Sequence, residues 1–475
     1  MTQSKQEVEL QDLPHYLRSD AQDAAGKGQV LDHESLTASI ANSDPPEHAV
    51  SVSQRWNGSR SNVFKTMSTF LGFIVMGAND AAYGAILPYL QRYYDTSYTV
   101  VSLVFLSPFV GYIASATTNN LLHKTFGQRG IAIIGPTCHI ISYIVICTHP
   151  PFGALVVVFI LAGYGNGVLD AAWNSWIGNL ANPNELLGFL HGFYGLGAVI
   201  SPLVATTMIT RGGLEWYTFY YIMIAAAVLE LAASTAAFWD MTGLKFRQLM
   251  SDDAVRGATR AALKTRVAWI GAVFLLVYVG IEVALGGWIV EFMIQVRDGQ
   301  PFESGMVATG FWLGLTVGRF ILGFITPRLG ENLSIFVYLL FAMAMQLLFW
   351  LVPQFIVSSV AAALVGFFLG PLFPAVVVAI TKLLPPHLHV ATVGFAAASG
   401  GGGACILPFA VGAIAQKAGV RVLQPIILAM LALALLLWTF GMPKISGKED
   451  AKNGKLEKAK GAVSRAFYGC FSARL

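Results

Sequence analysis

The chain has 475 residues, of which 55% are hydrophobic and only 12% charged, with a formal net charge of +4 and a mean hydropathy of +0.61. Soluble domains carry roughly 25% charged residues, so this composition excludes an ordinary cytosolic enzyme, a disordered scaffold and a nucleic-acid binder. Forty-eight glycines and 31 phenylalanines suit helices packed closely in lipid, where small residues let backbones approach.

In chain order, residues 1–63 come first, with five Lys/Arg against nine acids and no apolar period; they read as a disordered tail. They contain no secretory apolar core, so the first span is expected to be a retained helix. A bilayer core of about 30 Å needs roughly 20 apolar residues per helix. Twelve stretches qualify: 64–90, 99–122, 130–149, 153–178, 186–209, 216–240, 267–295, 304–326, 333–352, 355–383, 390–416 and 420–441. A polar loop, 241–266, separates the first six (64–240) from the last six (267–441), and a basic tail, 442–475, follows. The expectation is an all-α polytopic membrane protein of twelve transmembrane helices.

An even number of spans puts both termini on one side. With the termini in the cytosol, the inner loops hold ten Lys/Arg: Lys245, Arg247, Arg256, Arg260, Lys264, Arg266, Lys124, Arg129, Arg328 and Lys382. The outer loops then hold five: Arg92, Arg211, Arg297, Lys417 and Arg421. Cytosolic termini therefore follow from the positive-inside rule. The plasma membrane is the first expectation and the vacuolar membrane the second.

The two halves match at a nearly fixed offset. Gly77, Asn79 and Gly84 fall on Gly280, Glu282 and Gly287, each 203 residues later. The link from Asn120 to Gly127 falls on Gly323 to Gly330, and Gly163, Gly167 and Leu169 fall on Gly366, Gly370 and Leu372, again 203 later. In the fifth span Gly195, Gly197 and Pro202 fall on Gly401, Gly403 and Pro408 at 206. Two six-helix pseudo-symmetric halves joined by a polar loop are the parallel repeat of the major facilitator transporters. The chain resembles that superfamily from about residue 64 to 441. Its short links are similar to the family loop signature Gly-x-x-x-Asp-Arg-x-Gly-Arg-Arg, but Asn120 stands for the first Gly and Lys124 for the Asp. In the second copy Pro327 stands for the Asp. Within the superfamily, Leu169-Asp170-Ala-Ala-Trp-Asn174 and Tyr278-Val-Gly-Ile-Glu282-Val-Ala-Leu-Gly-Gly-Trp288 are similar to the fucose/sugar–proton symporter branch and its fungal relatives. That resemblance implies a substrate-linked acid at Asp170. It does not extend to Asp80, which lies eight residues before Pro88 where the branch has its acid four before.

Charge inside a span costs about 2.5–3.5 kcal/mol on insertion scales and marks function by default. Six acids lie within spans: Asp80, Asp170, Glu230, Asp240, Glu282 and Glu291. Asp240 and Glu291 are near helix ends and are expected to reach water. Asn166, Asp170 and Asn174 recur every four residues, one stripe on the fourth span, which reads as a cavity lining with Asp170 the leading proton or substrate acid. The other reading is an acid paired across helices for packing. Asp80 with Asn79 and Tyr83, and Glu282, sit near the middle of the first and seventh spans and suit a hydroxyl- or amide-bearing ligand, or else close the two halves structurally. Glu230 has no polar partner at helical spacing and is read as structural. His191, beside Gly192 and Tyr194, is a candidate proton relay, or a histidine hydrogen-bonded within the bundle. Trp173, Trp176, Tyr194 and Trp288 offer flat faces for a ring-shaped solute. Arg319 follows the small-residue seam Gly310/Gly314/Gly318, where it can snorkel or pair with a carbonyl.

Four scattered cysteines (Cys138, Cys147, Cys405 and Cys470) form neither a disulfide framework nor a metal site, and no cofactor is expected. No Gly-x4-Gly-Lys-Ser/Thr occurs, which disfavours an ATP-driven pump. The expected activity is secondary transport of a small organic solute by alternating access, proton-coupled, with a sugar favoured through the resemblance. The expected partners are the solute, protons and the lipid bilayer, with the chain a monomer. One alternative is efflux of a metabolite or toxin by proton antiport, since Gly188, Gly197 and Ser201-Pro202 are similar to the antiporter signature; another is a nutrient sensor that does not transport.

Overall fold

The structure, a computed structural model, describes residues 54–249 and 260–443. Most of the expected disordered tail, Arg256 of the central loop and the basic tail with Cys470 lie outside the described residues. In lipid an apolar run can satisfy its N–H and C=O groups only within its own helix or in a closed barrel. Accordingly, eleven helical stretches among the described residues are long and apolar enough to cross a membrane. The second of these, Tyr98–Cys147, is 50 residues long. It is two helices, because Gly127 at φ 72°, ψ −168° breaks it. The legs, 98–126 and 128–147, are α2 and α3, and they supply the twelfth crossing expected from the sequence.

The remaining helices are α1 (Arg60–Tyr93), α4 (Phe152–Gly178), α5 (Pro183–Thr210) and α6 (Phe219–Phe238). A short helix, Gly243–Leu249, follows α6. The second half is α7 (Arg266–Arg297), α8 (Pro301–Leu329), α9 (Glu331–Leu351), α10 (Phe355–Leu383), α11 (Pro386–Ala418) and α12 (Val420–Gly441). The starts are written in the sequence. Ser59 and Thr265 accept from the amides of Asn62 at 3.0 Å and Ala268 at 3.3 Å, satisfying donors a helix start leaves free. Proline opens α5, α8 and α11, where its missing N–H costs nothing.

The repeat reappears as packing. A Cβ on Gly77 or Gly197 would overlap the backbone carbonyls of Tyr194 and Ile74, so α1 and α5 cross backbone to backbone. Of their repeat partners, Gly403 does the same for α7 and α11 against the carbonyl of Leu276, and Gly280 lies close against the carbonyl of Gly403. Gly111 and Gly163 seat α2 on α4 as Gly314 and Gly366 seat α8 on α10. Outward-facing positions stay apolar, with Phe324, Ile356 and Phe440 each at least 74% exposed, a surface that fits lipid and not water.

Two clusters fill the interior. One, around Tyr83, Phe105, Tyr143, Trp216 and Trp288, runs through both halves; the other, around Trp173, Trp176 and Phe238, belongs to the first half. We call the side where α1 begins and α12 ends the terminal face, and the opposite side the loop face. On the loop face the halves meet closely. Gly84 lies against the backbone of Gly286 and Gly287, and Gly412 against Ser102. Tyr98 donates to Glu291 at 2.8 Å through its hydroxyl and to Gln416 at 2.8 Å through its amide. Arg211 sits 3.7 Å over the Phe302 ring.

Candidate functional site

Between the halves lies a cavity to which α1 contributes Asp80 and Tyr83, α4 Asp170 and Asn174, and α5 His191 and Tyr194. From the second half come Glu282 on α7, Arg319 on α8 and Cys405 on α11. Seven of the sequence-predicted residues thus line one cavity.

Asp80 accepts three hydrogen bonds: from Asn79 Nδ2 at 3.0 Å and Asn166 Nδ2 at 3.0 Å on Oδ1, and from the Tyr194 hydroxyl at 2.9 Å on Oδ2. Asn79 also donates to the Tyr83 hydroxyl at 2.9 Å and accepts from the Tyr143 hydroxyl at 3.1 Å. Asp170 is more lightly held. Asn174 Nδ2, one turn on, donates to its Oδ1 at 2.8 Å and to its backbone carbonyl at 2.9 Å, and Oδ2 takes no hydrogen bond among the described residues. Neither carboxylate forms an ion pair among the described residues.

Glu282 differs. Arg319 Nη2 donates to both its oxygens, at 3.3 and 3.4 Å, with the two side chains 8% and 5% exposed. Arg319 also donates to the carbonyls of Gly370 and His191, each at 3.1 Å. It does not snorkel to the terminal face; it is buried and joins α7, α8, α10 and α5. The acid at 282 is therefore answered by a cation within the protein, whereas among the described residues Asp80 and Asp170 are held by neutral donors.

The expected residues part company in places. Asn166 does not line the cavity with Asp170 and Asn174; it is 1% exposed and bridges Asp80 to His139, whose Nε2 is 2.9 Å from Asn166 Oδ1. Trp173 and Trp176 pack on Phe238, at ring separations of 4.5 and 5.4 Å. Trp288 donates to the Pro408 carbonyl at 2.8 Å and packs against Tyr98 at 5.8 Å. These three indoles line core and loop-face contacts, not the cavity. Glu291 does not reach water either: it is 2% exposed beneath Tyr98. Glu230, read as lacking a partner, meets His139 from another helix at 3.0 Å. Helical spacing reveals partners on one helix only, so this pair was invisible to it. The available signal was a second histidine well inside a span.

Family comparison agrees with the repeat. The model of the Major Facilitator Superfamily matches residues 69–360 and 289–473. Bypass of stop codon protein 6 of Saccharomyces cerevisiae is 30% identical over 418 residues, covering 81% of this chain and 84% of that protein. The glucose/mannose transporter of Bacillus subtilis is 22% identical over 359 residues, covering 72% and 85%. Among solved structures, a D-xylose–proton symporter superposes with a TM-score of 0.66 at 14% identity, covering 81% of this chain and 99% of that one. The fucose:proton symporter of E. coli, in its N162A form, gives 0.58 at 15% identity, covering 80% and 98%.

Proposed function

This chain belongs to the Major Facilitator Superfamily, and on that premise we propose that it is a secondary active carrier that moves a sugar or sugar-like solute together with protons. The observation that carries the reading is the pair of carboxylates without cationic partners, Asp80 and Asp170, on one wall of the inter-half cavity beside Asn174, Tyr83 and Tyr194. Carboxylate, amide and phenol groups pair with adjacent hydroxyls, and an uncompensated charge in mid-membrane must be neutralised before it can be enclosed. A proton on one acid and a polyhydroxyl solute at the other meet that need. The name of the Bacillus subtilis relative supports the sugar class.

The roles divide by hydrogen-bond capacity. Asp170 has an oxygen to spare and is the solute acid, with Asn174 holding its orientation. Asp80, already set among three donors, is the coupling acid. The closed loop face is one of the two states of an alternating-access cycle around the cavity. The excess of Lys/Arg in the inner loops supports cytosolic termini, and the reading takes the plasma membrane as the location and a monomer as the working unit.

The test is purified protein in liposomes with an internal pH dye, challenged with hexoses, pentoses and polyols. A solute-dependent pH change is expected. Asp170→Asn should cut solute flux at least about tenfold, the loss of one charged hydrogen-bonding partner. No response to any of these solutes from folded protein would overturn the sugar reading.

A further inference from the structure

Beyond the cavity wall lies a buried hydrogen-bonded chain that the transport reading leaves unused. His139 on α3 is fully buried and Glu230 on α6 is 1% exposed. His139 Nδ1 is 3.0 Å from Glu230 Oε2, its Nε2 is 2.9 Å from Asn166 Oδ1, and Asn166 Nδ2 donates to Asp80 Oδ1 at 3.0 Å. The run Glu230–His139–Asn166–Asp80 crosses four helices. Burying an ion pair for packing alone gains little over apolar residues of the same volume.

The donor and acceptor inventory fixes what this chain transmits. An amide offers N–H on one side and a carbonyl oxygen on the other. With Asn166 Nδ2 on Asp80, its Oδ1 faces His139, so His139 Nε2 carries a proton. Nδ1 faces a carboxyl oxygen. The His139–Glu230 pair therefore holds one proton more than a neutral ring beside a carboxylate. If the pair lost that proton, the ring would donate from Nδ1 to Glu230 and Nε2 would become an acceptor. Asn166 would then turn over, giving Nδ2 to His139 and presenting its carbonyl oxygen to Asp80. A carbonyl oxygen accepts from a carboxylic acid and repels a carboxylate.

We propose that the His139–Glu230 pair, acting through the Asn166 amide, is a positioning device that sets whether Asp80 keeps or releases its proton. This rests on reading Asp80 as the coupling acid. The titratable and charged groups near Asp80 from other helices are Tyr112, Tyr143, Asp170, Tyr194 and Cys405, with Tyr83 on its own helix and with His191 and the Glu282–Arg319 pair lining the same cavity. Tyr143 stacks on the His139 ring at 5.8 Å. Among the described residues the Asn166 amide is hydrogen-bonded to Asp80 and His139 alone.

The test needs no solute. The carboxylic-acid stretch of Asp80 is identified as the infrared band lost in Asp80→Asn, then titrated in the full-length protein in detergent. In Glu230→Gln the pair loses its extra proton, and an amide at 230 meets Nδ1 as acceptor or as donor, so Asn166 is no longer held with Nδ2 toward Asp80. The midpoint should rise by about one to two pH units, the equivalent of one charged hydrogen bond, and Glu230→Asp should bring it most of the way back. An unchanged midpoint in folded Glu230→Gln overturns the proposal, because a role confined to packing would not move it. Should Glu230→Gln not fold, His139→Gln removes the ring that joins Glu230 to Asn166, with the same rise expected and the same overturning result. A carrier that moves no protons with solute would sink the function proposed above, whereas this titration reads the chain behind Asp80 directly.

Discussion

Arg319 shows how much a single side chain can hold at the residue scale. It donates to Glu282 and to the backbones of α5 and α10, so its removal leaves a buried carboxylate unanswered, along with the Gly370 carbonyl, whose helical partner position is Pro374. Arg319→Met should cost about 3–5 kcal/mol, the usual penalty for breaking one side of a buried pair. Adding Glu282→Gln should recover a substantial part of it by removing the stranded charge. Thermal unfolding of the two variants in detergent decides this: a double variant no more stable than Arg319→Met would show that the ion pair contributes little. The acids of this site were legible because charge inside an apolar run is conspicuous in any sequence. The answering groups were not. Arg319 stands near a span end in the sequence, and its partners come from three other helices. The indoles of Trp173 and Trp288 point into packing because a helix in this bundle is buried on several faces, and residue type does not say which face borders the cavity.

At the scale of elements, the turns between helices are set by two glycines 203 residues apart, Gly127 at φ 72° and Gly330 at φ 84°. L-residues pay about 1–2 kcal/mol for such a conformation. Gly330 has open space around it, whereas a Cβ on Gly127 would strike the backbone of residues 241–243. Gly127→Ala should therefore destabilise clearly more than Gly330→Ala; equal losses would mean that the docking of the α2–α3 turn on the chain after α6 is dispensable. Beside that turn, Asp240 lies two residues past α6, bound by Lys65 at 2.9 Å and Lys245 at 3.6 Å. Partial burial acts to raise the Asp240 carboxyl, but the hydrogen bond and charge of Lys65, with Lys245, outweigh it and hold it below the usual carboxylate range. A lowered carboxyl contributes stability above its unfolded value and loses it as pH falls through the folded one. With its side chain 54% exposed, Asp240→Asn should cost less than about 1 kcal/mol at pH 7, and the gap to wild type should close below about pH 4. A gap that persists in acid would assign the effect to packing. Span positions and repeat partners were readable here from apolar length and constant offset. The docking of the α2–α3 turn on residues 241–243 was not, because apolar length does not say which loops touch.

For the whole molecule, the closed loop face depends on how near two backbones can come. Gly84 on α1 meets the carbonyl of Gly286 and the Cα of Gly287 on α7 with no room for a methyl group. Gly84 and Gly287 are repeat partners, so this backbone-to-backbone contact between the halves falls where the pseudo-symmetry places matching glycines opposite each other. Around it, Tyr98 holds Glu291 and Gln416, and Phe105 packs on Trp288 at 6.3 Å. A side chain at 84 lies in a helix interior with ordinary φ, so it should leave α1 itself intact and act on the contact alone. Leucine in place of Gly84 should force the halves apart on this face and stabilise the alternative state of the proposed cycle. Hydrogen exchange measured by mass spectrometry on Gly84→Leu should then show faster exchange near residues 98–105 and 286–291. Exchange near Asp170 and Asn174 should slow as the terminal face closes, because a rocking carrier opens one side by closing the other. Faster exchange on the loop face with no slowing at the terminal face would mean local loosening without a coupled closure, and would count against alternating access around this cavity.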